Sequence, residues 1–95
     1  MKTKVFNDVT YYILKDDNNI LDEMDISKKL TEYFDDFDYV VGDISYNILR
    51  LKGFKRNSKS NNKYNRIDFL DEYLSKYCSY GAKWFIISKV YKDIK

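Results

Sequence analysis

Short apolar runs separated by polar turns fill the beginning of the chain. The runs TKVF and VTYYILK flank the dipeptide Asn7-Asp8, which can adopt the positive φ that a tight hairpin needs. This pattern predicts a β-hairpin with strands over residues 3–6 and 9–15. Both faces of the second strand are apolar, so we expect that strand to be covered on both sides or to lie at an oligomer contact.

Apolar positions with helical spacing follow the hairpin. They recur every three or four residues at Ile26, Leu30, Tyr33 and Phe37. Asp22 precedes them, and aspartate accepts hydrogen bonds from the free amides at a helix N-terminus. We therefore predict a helix over residues 23–36 with Asp22 as its N-cap.

Two further strands are predicted in the middle of the chain, over residues 39–43 and 47–54. In the second strand Leu49 and Leu51 point to one face, whereas the other face carries cations. These cations are Arg50 and Lys52. We expect the leucine face to be core and the cationic face to be exposed and positive.

The C-terminal part of the chain contains a polar stretch, a helical pattern and a last strand. Residues 55–65 are polar and basic, which predicts a flexible loop. Asn65 is the expected N-cap of a helix over residues 66–79, and Gly81 suits the left-handed position after its end. The run KWFIISKVY predicts the closing strand.

The elements follow one another in the order β-β-α-β-β-α-β. Strands joined by hairpins form mainly antiparallel sheets, so we predict an α+β fold with two helices packed on the sheet. The 95 residues fit a single domain, residues 1–95, with a modest core.

Composition is consistent with a folded cytoplasmic protein. Apolar residues make up 44% of the chain, well above the disordered class. The single cysteine excludes an internal disulfide, which favours a reducing cytosol. The opening sequence MKTKVFND lacks the apolar core of a signal peptide, and no window reaches the ~18 apolar residues of a membrane span.

The net charge of +2 conceals a strong asymmetry along the chain. Residues 16–43 contain ten acids and two bases, whereas residues 50–66 contain seven bases and no acid. An asymmetry of this kind indicates an interaction surface.

The stretch FDDFDYVVGDISYNILRLKGF, residues 34–54, carries a specific motif. This stretch resembles the signature of the YutD-like family. The matching positions, in order, are Asp38, Tyr39, Val41, Gly42, Asp43, Tyr46, Leu49, Arg50, Leu51, Lys52, Gly53 and Phe54. A second block, IDFLDEYLSKYCSYGAKWFIISKV, resembles the family's closing motif Tyr-Leu-x-x-Tyr-Cys followed by an apolar strand.

The chain departs from the family signature at the predicted turn. Ile44-Ser45 stand where the family has Trp-Gly, and Asn47 stands where it has glycine. The turn is therefore expected to be built differently here. The resemblance implies a small cytosolic α+β protein, and it carries over no catalytic residue.

Several catalytic chemistries are excluded by composition. The chain has no histidine, so Ser-His-Asp and Cys-His nucleophile systems and imidazole metal ligands are absent. Cys78 lies on the buried stripe of the second predicted helix and is expected to be a small core residue. The three glycines are isolated, which excludes a glycine-rich phosphate loop. We expect no enzyme activity, no cofactor and no metal.

Acidic residues cluster at residues 35–43 and 16–23 without the spacing of a calcium loop, so we expect exposed acids at helix ends.

Gly42 and Asn47 are the residues best suited to positive φ in the turn between the middle strands. Asp43, next to Gly42, is expected to bond to its own turn backbone. Pairing with Arg50 or contact with a ligand is the alternative for this carboxylate.

The basic segment is the strongest functional signal. The candidate nucleic-acid-binding residues are Arg50, Lys52, Lys55, Arg56, Lys59, Lys63, Arg66 and Tyr46. Clustered cations contact phosphates, and aromatic faces stack on single-stranded bases. The first hypothesis is therefore a non-enzymatic accessory protein that contacts RNA or the ribosome through a basic strand face and loop.

Two other interpretations of the basic segment stay open. The protein could instead be a protein–protein interaction adaptor that uses an exposed sheet face or edge. A solvated loop that balances the acidic part of the chain is the third interpretation. The position of Arg50 distinguishes them, because the first hypothesis requires an exposed Arg50 that is not paired with acids from residues 16–43.

Overall fold

Five antiparallel strands form one sheet in the computed structural model, which describes residues 2–56, 62–78 and 81–90. The strands are β1 (Thr3–Phe6), β2 (Val9–Asp16), β3 (Tyr39–Ser45), β4 (Ile48–Phe54) and β5 (Lys83–Lys89), and the helices are α1 (Ile20–Glu23) and α2 (Leu70–Lys76). The spatial order of the strands is β1-β2-β5-β3-β4. The predicted α+β class with an antiparallel sheet is confirmed.

The first hairpin forms where the sequence predicted it. Asn7 and Asp8 both have positive φ, 51° and 66°, and Phe6 pairs with Val9. Such a two-residue turn matches the twist of the flanking strands. The register between β2 and β5 shifts after Ile13, so β2 bulges there.

The predicted helix over residues 23–36 is wrong. Helix α1 spans only Ile20–Glu23, and a separate 3-10 turn covers Glu32–Asp36. Asp22 is not the N-cap of this helix. The amides of Ile20 and Leu21 donate instead to the carboxylate of Asp16, at 2.8 and 3.1 Å.

Side chains that bond to the backbone explain why no continuous helix forms here. The Asp25 carboxylate accepts the amide of Ser27 at 3.0 Å, which holds a local turn. The Asn7 side-chain amide donates to the carbonyls of Ser27 and Leu30, at 2.9 Å each. In a continuous helix the Ser27 carbonyl would accept a backbone amide four residues later. Because Asn7 occupies this carbonyl instead, the segment forms a series of turns, and its apolar residues reach the core from those turns.

The sheet has a core on each face. The first core joins the segment from Ile20 to Phe37 to the sheet, through Phe6, Tyr11, Ile20, Leu21, Ile26, Leu30, Phe34, Phe37, Val40, Leu49, Phe85 and Ile87. The second core lies beneath α2 and contains Val41, Phe54, Phe69 and Ile86. Because neighbouring strand residues alternate between faces, Val40 and Val41 serve opposite cores.

The second helix is shorter than predicted. A 3-10 turn covers Ile67–Phe69, and α2 begins only at Leu70. The cause is a backbone bridge to the end of β4, since the Lys55 amide donates to the Asn65 carbonyl and the Ile67 amide donates to the Lys55 carbonyl. Asn62, not Asn65, caps the preceding turn, by accepting the amide of Tyr64.

Neither helix in the described ranges has the length and apolar character that a membrane span requires. Gly81 has a positive φ of 71°, as predicted, but α2 ends at Lys76, so Gly81 does not lie just past the end of the helix.

Candidate interaction surfaces

The cations of β4 are not exposed on an open face, so this part of the sequence prediction is wrong. Arg50 and Lys52 lie on the face that α2 covers, and both are partly buried. The amphipathic alternation placed them correctly opposite Leu49. It could not reveal that a helix packs over them.

Arg50 connects the sheet to the end of α2. Its Nη2 donates to Oδ2 of Asp43 at 2.9 Å and to the carbonyl of Tyr77 at 2.7 Å. The same nitrogen lies 3.3 Å from Oγ of Ser45. The hydrogen bond with Asp43 raises the pKa of the Arg50 guanidinium. One cation therefore fixes a buried carboxylate and a helix C-terminus at once.

Asp43 is a fully buried strand residue, at 0% exposure, and not a turn residue. The turn lies at Tyr46 and Asn47, which both have positive φ. Ser45 Oγ donates to Asp43 Oδ2 at 2.5 Å, in addition to the Arg50 bond. Asp43 thus forms the pair with Arg50 that the sequence analysis gave as an alternative, and the prediction of an exposed acid at this position is wrong.

Tyr73, which packs against the second core, and the partly buried Cys78 also face this carboxylate. Burial, followed by the charge of Asp43, raises the pKa of the Cys78 thiol and raises that of Tyr73 to about 12. A thiol with a raised pKa is a poor nucleophile at neutral pH. We call Asp43, Ser45, Arg50, Tyr73 and Cys78 the Asp43 cluster.

Sequence reasoning missed Ser45, Tyr73 and Cys78 as partners of Asp43. Ser45 lies two residues after Asp43 and shares its strand face. Tyr73 and Cys78 belong to the second block that resembles the family motif, so the two resembling blocks meet in this cluster. The presence of both blocks in the sequence was the signal that could have predicted this contact.

Gly42 does not serve a turn. It lies within β3, where a Cβ atom would come within 2.2 Å of Cζ of Phe85. Glycine is needed at this position because an aromatic ring occupies the space above its Cα.

Lys52 lines an apolar pocket of about 270 Å³ together with Tyr64, Phe69, Tyr73 and Tyr77. Its ammonium lies 5.2 Å from the Phe54 ring centroid and donates to Oδ1 of Asn65 at 3.1 Å. Burial lowers the pKa of Lys52. Lys52 is therefore a packed residue rather than part of an open basic platform.

The other predicted nucleic-acid-binding residues differ in exposure. Arg56 and Lys63 are exposed. Lys55 and Arg66 are partly buried, and their backbones form an isolated parallel β-bridge. Lys59 lies outside the described residues. Tyr46 is 85% exposed but lies at the opposite end of the seven-residue strand β4, roughly 20 Å from Lys55.

An apolar surface lies on the half of the sheet that α2 does not cover. The register pairs Val5 with Thr10 and Tyr12 with Ser88, which places Val5 and Tyr12 on the same face as Ile86. Val5 is 59% exposed and Tyr12 37%, and Leu14 at the bulge is 44% exposed. We call these three side chains the open sheet face.

The sequence analysis expected β2 to be covered on both sides or to lie at an oligomer contact. One face of this strand packs in the first core through Tyr11, and the other is exposed. Apolar side chains that are exposed together on one face make that face a candidate interaction surface. In the part of the chain that the structure describes, no group of three cysteine, aspartate or glutamate side chains is arranged to hold a metal ion.

Comparisons with known proteins agree on one family. Residues 5–88 match the family model described as "Putative antitoxin YutD-like". The chain is 36% identical over 66 residues to "Putative antitoxin YutD" of Bacillus subtilis (strain 168), covering 67% of this chain and 71% of that protein. It is also similar to the solution NMR structure of protein yutD from B. subtilis, with a TM-score of 0.73 and 25% sequence identity over 100% of this chain and 87% of that one.

Proposed function

We propose, from the premise that this chain belongs to the YutD-like family, that it acts by binding another protein through its open sheet face. The family description and the B. subtilis relative both carry the name antitoxin. An antitoxin, by its name, counteracts a toxin. A histidine-free chain of 95 residues fits a role in binding better than one in catalysis.

The open sheet face is the observation that carries this proposal. Val5 and Tyr12 are exposed on the sheet face whose other half is sealed by α2. An apolar area of this kind loses contact with water when a partner binds, which stabilises the complex. Two of the cations that first suggested RNA are in structural contacts instead: Arg50 is bound to Asp43, and Lys52 packs against the Phe54 ring.

A matched pair of substitutions tests the proposal. Val5 and Ile48 are both 59% exposed, and they lie on the two edge strands, β1 and β4. We expect a tagged protein to capture a specific protein partner from nuclease-treated lysate of its source organism. Val5→Glu and Tyr12→Glu should abolish that capture, whereas Ile48→Glu should leave it unchanged.

Circular dichroism should confirm that the three variants fold. Capture lost equally in Ile48→Glu, or retained in both Val5→Glu and Tyr12→Glu, would contradict the proposal.

RNA contact through the basic loop is the second candidate. It is favoured by the exposed Lys63, whose ammonium lies 5.1 Å from the ring of the exposed Tyr64, at the mouth of the aromatic pocket. Cations beside exposed rings are typical of single-strand binding. Capture that nuclease removes, and that Lys63→Ser weakens, would favour this candidate over the first.

A further inference from the structure

The edge strand β1 has unpaired backbone groups. Among the described residues, β1 pairs only with β2. The two-residue turn makes Phe6 and Val9 a hydrogen-bonded pair, so bonded positions alternate along β1. The Ile13 amide donates to the Lys2 carbonyl, which continues this alternation. The amides and carbonyls of Thr3 and Val5 therefore point outward from the sheet.

The opposite edge of the sheet is partly covered. On β4, the ammonium of Lys29 donates to the carbonyl of Leu49 at 3.0 Å. The end of β4 is followed by the bridge between Lys55 and Arg66. Proteins commonly blunt edge strands with such lysines and coverings. The two edges of this sheet therefore differ, and β1 is the open one.

The lysines of β1 do not guard its edge. Lys4 points to the first-core side, where its ammonium donates to the Leu21 carbonyl and lies 3.5 Å from Asp22. Lys2 lies 4.0 Å from the same carboxylate. Both cations are thus drawn towards acids on one side of the strand.

A groove with acidic walls runs along that side of β1. It has a volume of about 430 Å³, and its walls are residues 4–7 of the hairpin and residues 21–25. Asp22, Glu23 and Asp25 line it together with one cation, Lys4, which pairs with Asp22, so Glu23 and Asp25 supply the groove's excess negative charge. Hydrogen bonds from Ser27 lower the pKa of Asp25, so this acid carries its charge at neutral pH. The segment behind the groove, residues 16–43, holds ten acids and two bases.

The other side of β1 is apolar. There Val5 begins the open sheet face, and Tyr12 and Leu14 continue it across β2. A strand added beside β1 would place its side chains alternately on these two sides. One set would meet the acids of the groove, and the other set would extend the apolar face.

We propose that β1 accepts an extended segment of a partner protein as a sixth strand, and that this segment alternates lysine or arginine with apolar residues. This inference rests on the proposed function and names the recognition element in the partner. The main-chain bonds to Thr3 and Val5 would supply affinity, and the two sides of the strand would supply specificity.

A peptide probe tests the inference directly. We would use a dye-labelled heptapeptide in which lysine and valine alternate. The controls are a glutamate–valine peptide with the same alternation and a lysine–valine peptide of the same composition without it. Fluorescence anisotropy should show that the full chain binds the alternating basic peptide at least tenfold more tightly than either control. Hydrogen exchange of the Thr3 and Val5 amides should slow on binding.

Two variants locate the interaction. Val5→Pro removes an outward amide without touching the bonds between β1 and β2, and edge strands tolerate proline. We expect at least tenfold weaker peptide binding. Glu23→Lys reverses one groove charge outside the sheet, and we expect about fivefold weaker binding and a smaller salt dependence. If Val5→Pro fails to fold, Glu23→Lys and the amide exchange decide.

Equal binding of all three peptides, or binding unaffected by Glu23→Lys and without slowed exchange of Thr3 and Val5, would overturn the inference. Its failure differs from failure of the proposed function. Partner capture that requires Tyr12 but is indifferent to Val5→Pro and Glu23→Lys would overturn the strand addition alone. Capture indifferent to all three substitutions would overturn both.

Discussion

The two halves of one sheet face differ in how they are used. Over β3, β4 and β5 the face is covered by α2, and Asp43 and Arg50 lie beneath the helix. Over β1 and β2 the same face is open and apolar. The comparison teaches that some charged residues of this protein stabilise packing, whereas the half that α2 leaves uncovered exposes the apolar side chains Val5 and Tyr12.

The largest expected effect comes from removing the counter-charge of the buried carboxylate. Arg50→Ala leaves the fully buried Asp43 without its cation, and we expect a loss of about 3 kcal/mol in the free energy of unfolding. Urea denaturation measures it. The control is Asp22→Ala on the other half, where the exposed pair with Lys4 should matter by less than about 1 kcal/mol. Equal losses would erase the distinction between the halves.

The next effect concerns the ring above β3. Gly42→Ala places a methyl group against Phe85, and we expect a loss of about 2 kcal/mol from overpacking. In the double variant with Phe85→Leu the methyl group gains room, so the combined loss should fall short of the sum of the two single losses. Denaturant midpoints of the three variants provide the measurement. Strict additivity would show that the ring does not oppose the added methyl group.

Alkaline pH separates the halves further. Since the pKa of Tyr73 is raised to about 12, the fold favours the neutral phenol, and this stabilisation is present below about pH 10 and lost as pH rises towards 12. Tyr73→Phe should reduce the fall in the free energy of unfolding between about pH 10 and 12 by roughly 1 kcal/mol. The effect is modest because Tyr73 is only partly buried. Urea midpoints at several alkaline pH values would show it. Tyr12→Phe on the open half is the control, and an identical change there would remove the link to the Asp43 cluster.

The last pair of substitutions contains the smallest expected effect, at Val5, and compares the two halves directly. Val5→Thr and Val41→Thr make the same change on the open and covered halves. Val41 is fully buried, so its new hydroxyl should cost about 2 kcal/mol. Val5 is 59% exposed and should change the free energy of unfolding by less than about 0.5 kcal/mol. A large loss at Val5 would show that this face is already packed in the isolated protein.

Local patterns predicted the strands well. The Asn7-Asp8 turn and the β4 alternation depend on neighbours in sequence, and both were correct. The helix over residues 23–36 failed because Asn7, some twenty residues away, takes the Ser27 carbonyl. The spacing of apolar residues along the chain cannot predict a hydrogen bond between residues so far apart in sequence.

The candidate site was predicted only in part. The possible pairing of Asp43 with Arg50 was visible, because these residues share one hairpin. The complete burial of Asp43 and the partial burial of Arg50 depend on how a distant helix packs, and the charges along the chain do not predict that packing. The contact of Lys52 with aromatic rings likewise depends on residues distant in sequence.

The position of β5 has a consequence for synthesis of the chain. This strand is the last of the five in sequence but lies between β2 and β3 at the centre of the sheet. While the chain emerges from the ribosome, the two hairpins can form early, but among the described residues no strand pairs with both of them until residues 83–89 are available. Until then the inner edges of β2 and β3 are unpaired and prone to wrong association. Completion of the fold should therefore be a late event that follows translation of β5, and a chain truncated before Lys83 should aggregate.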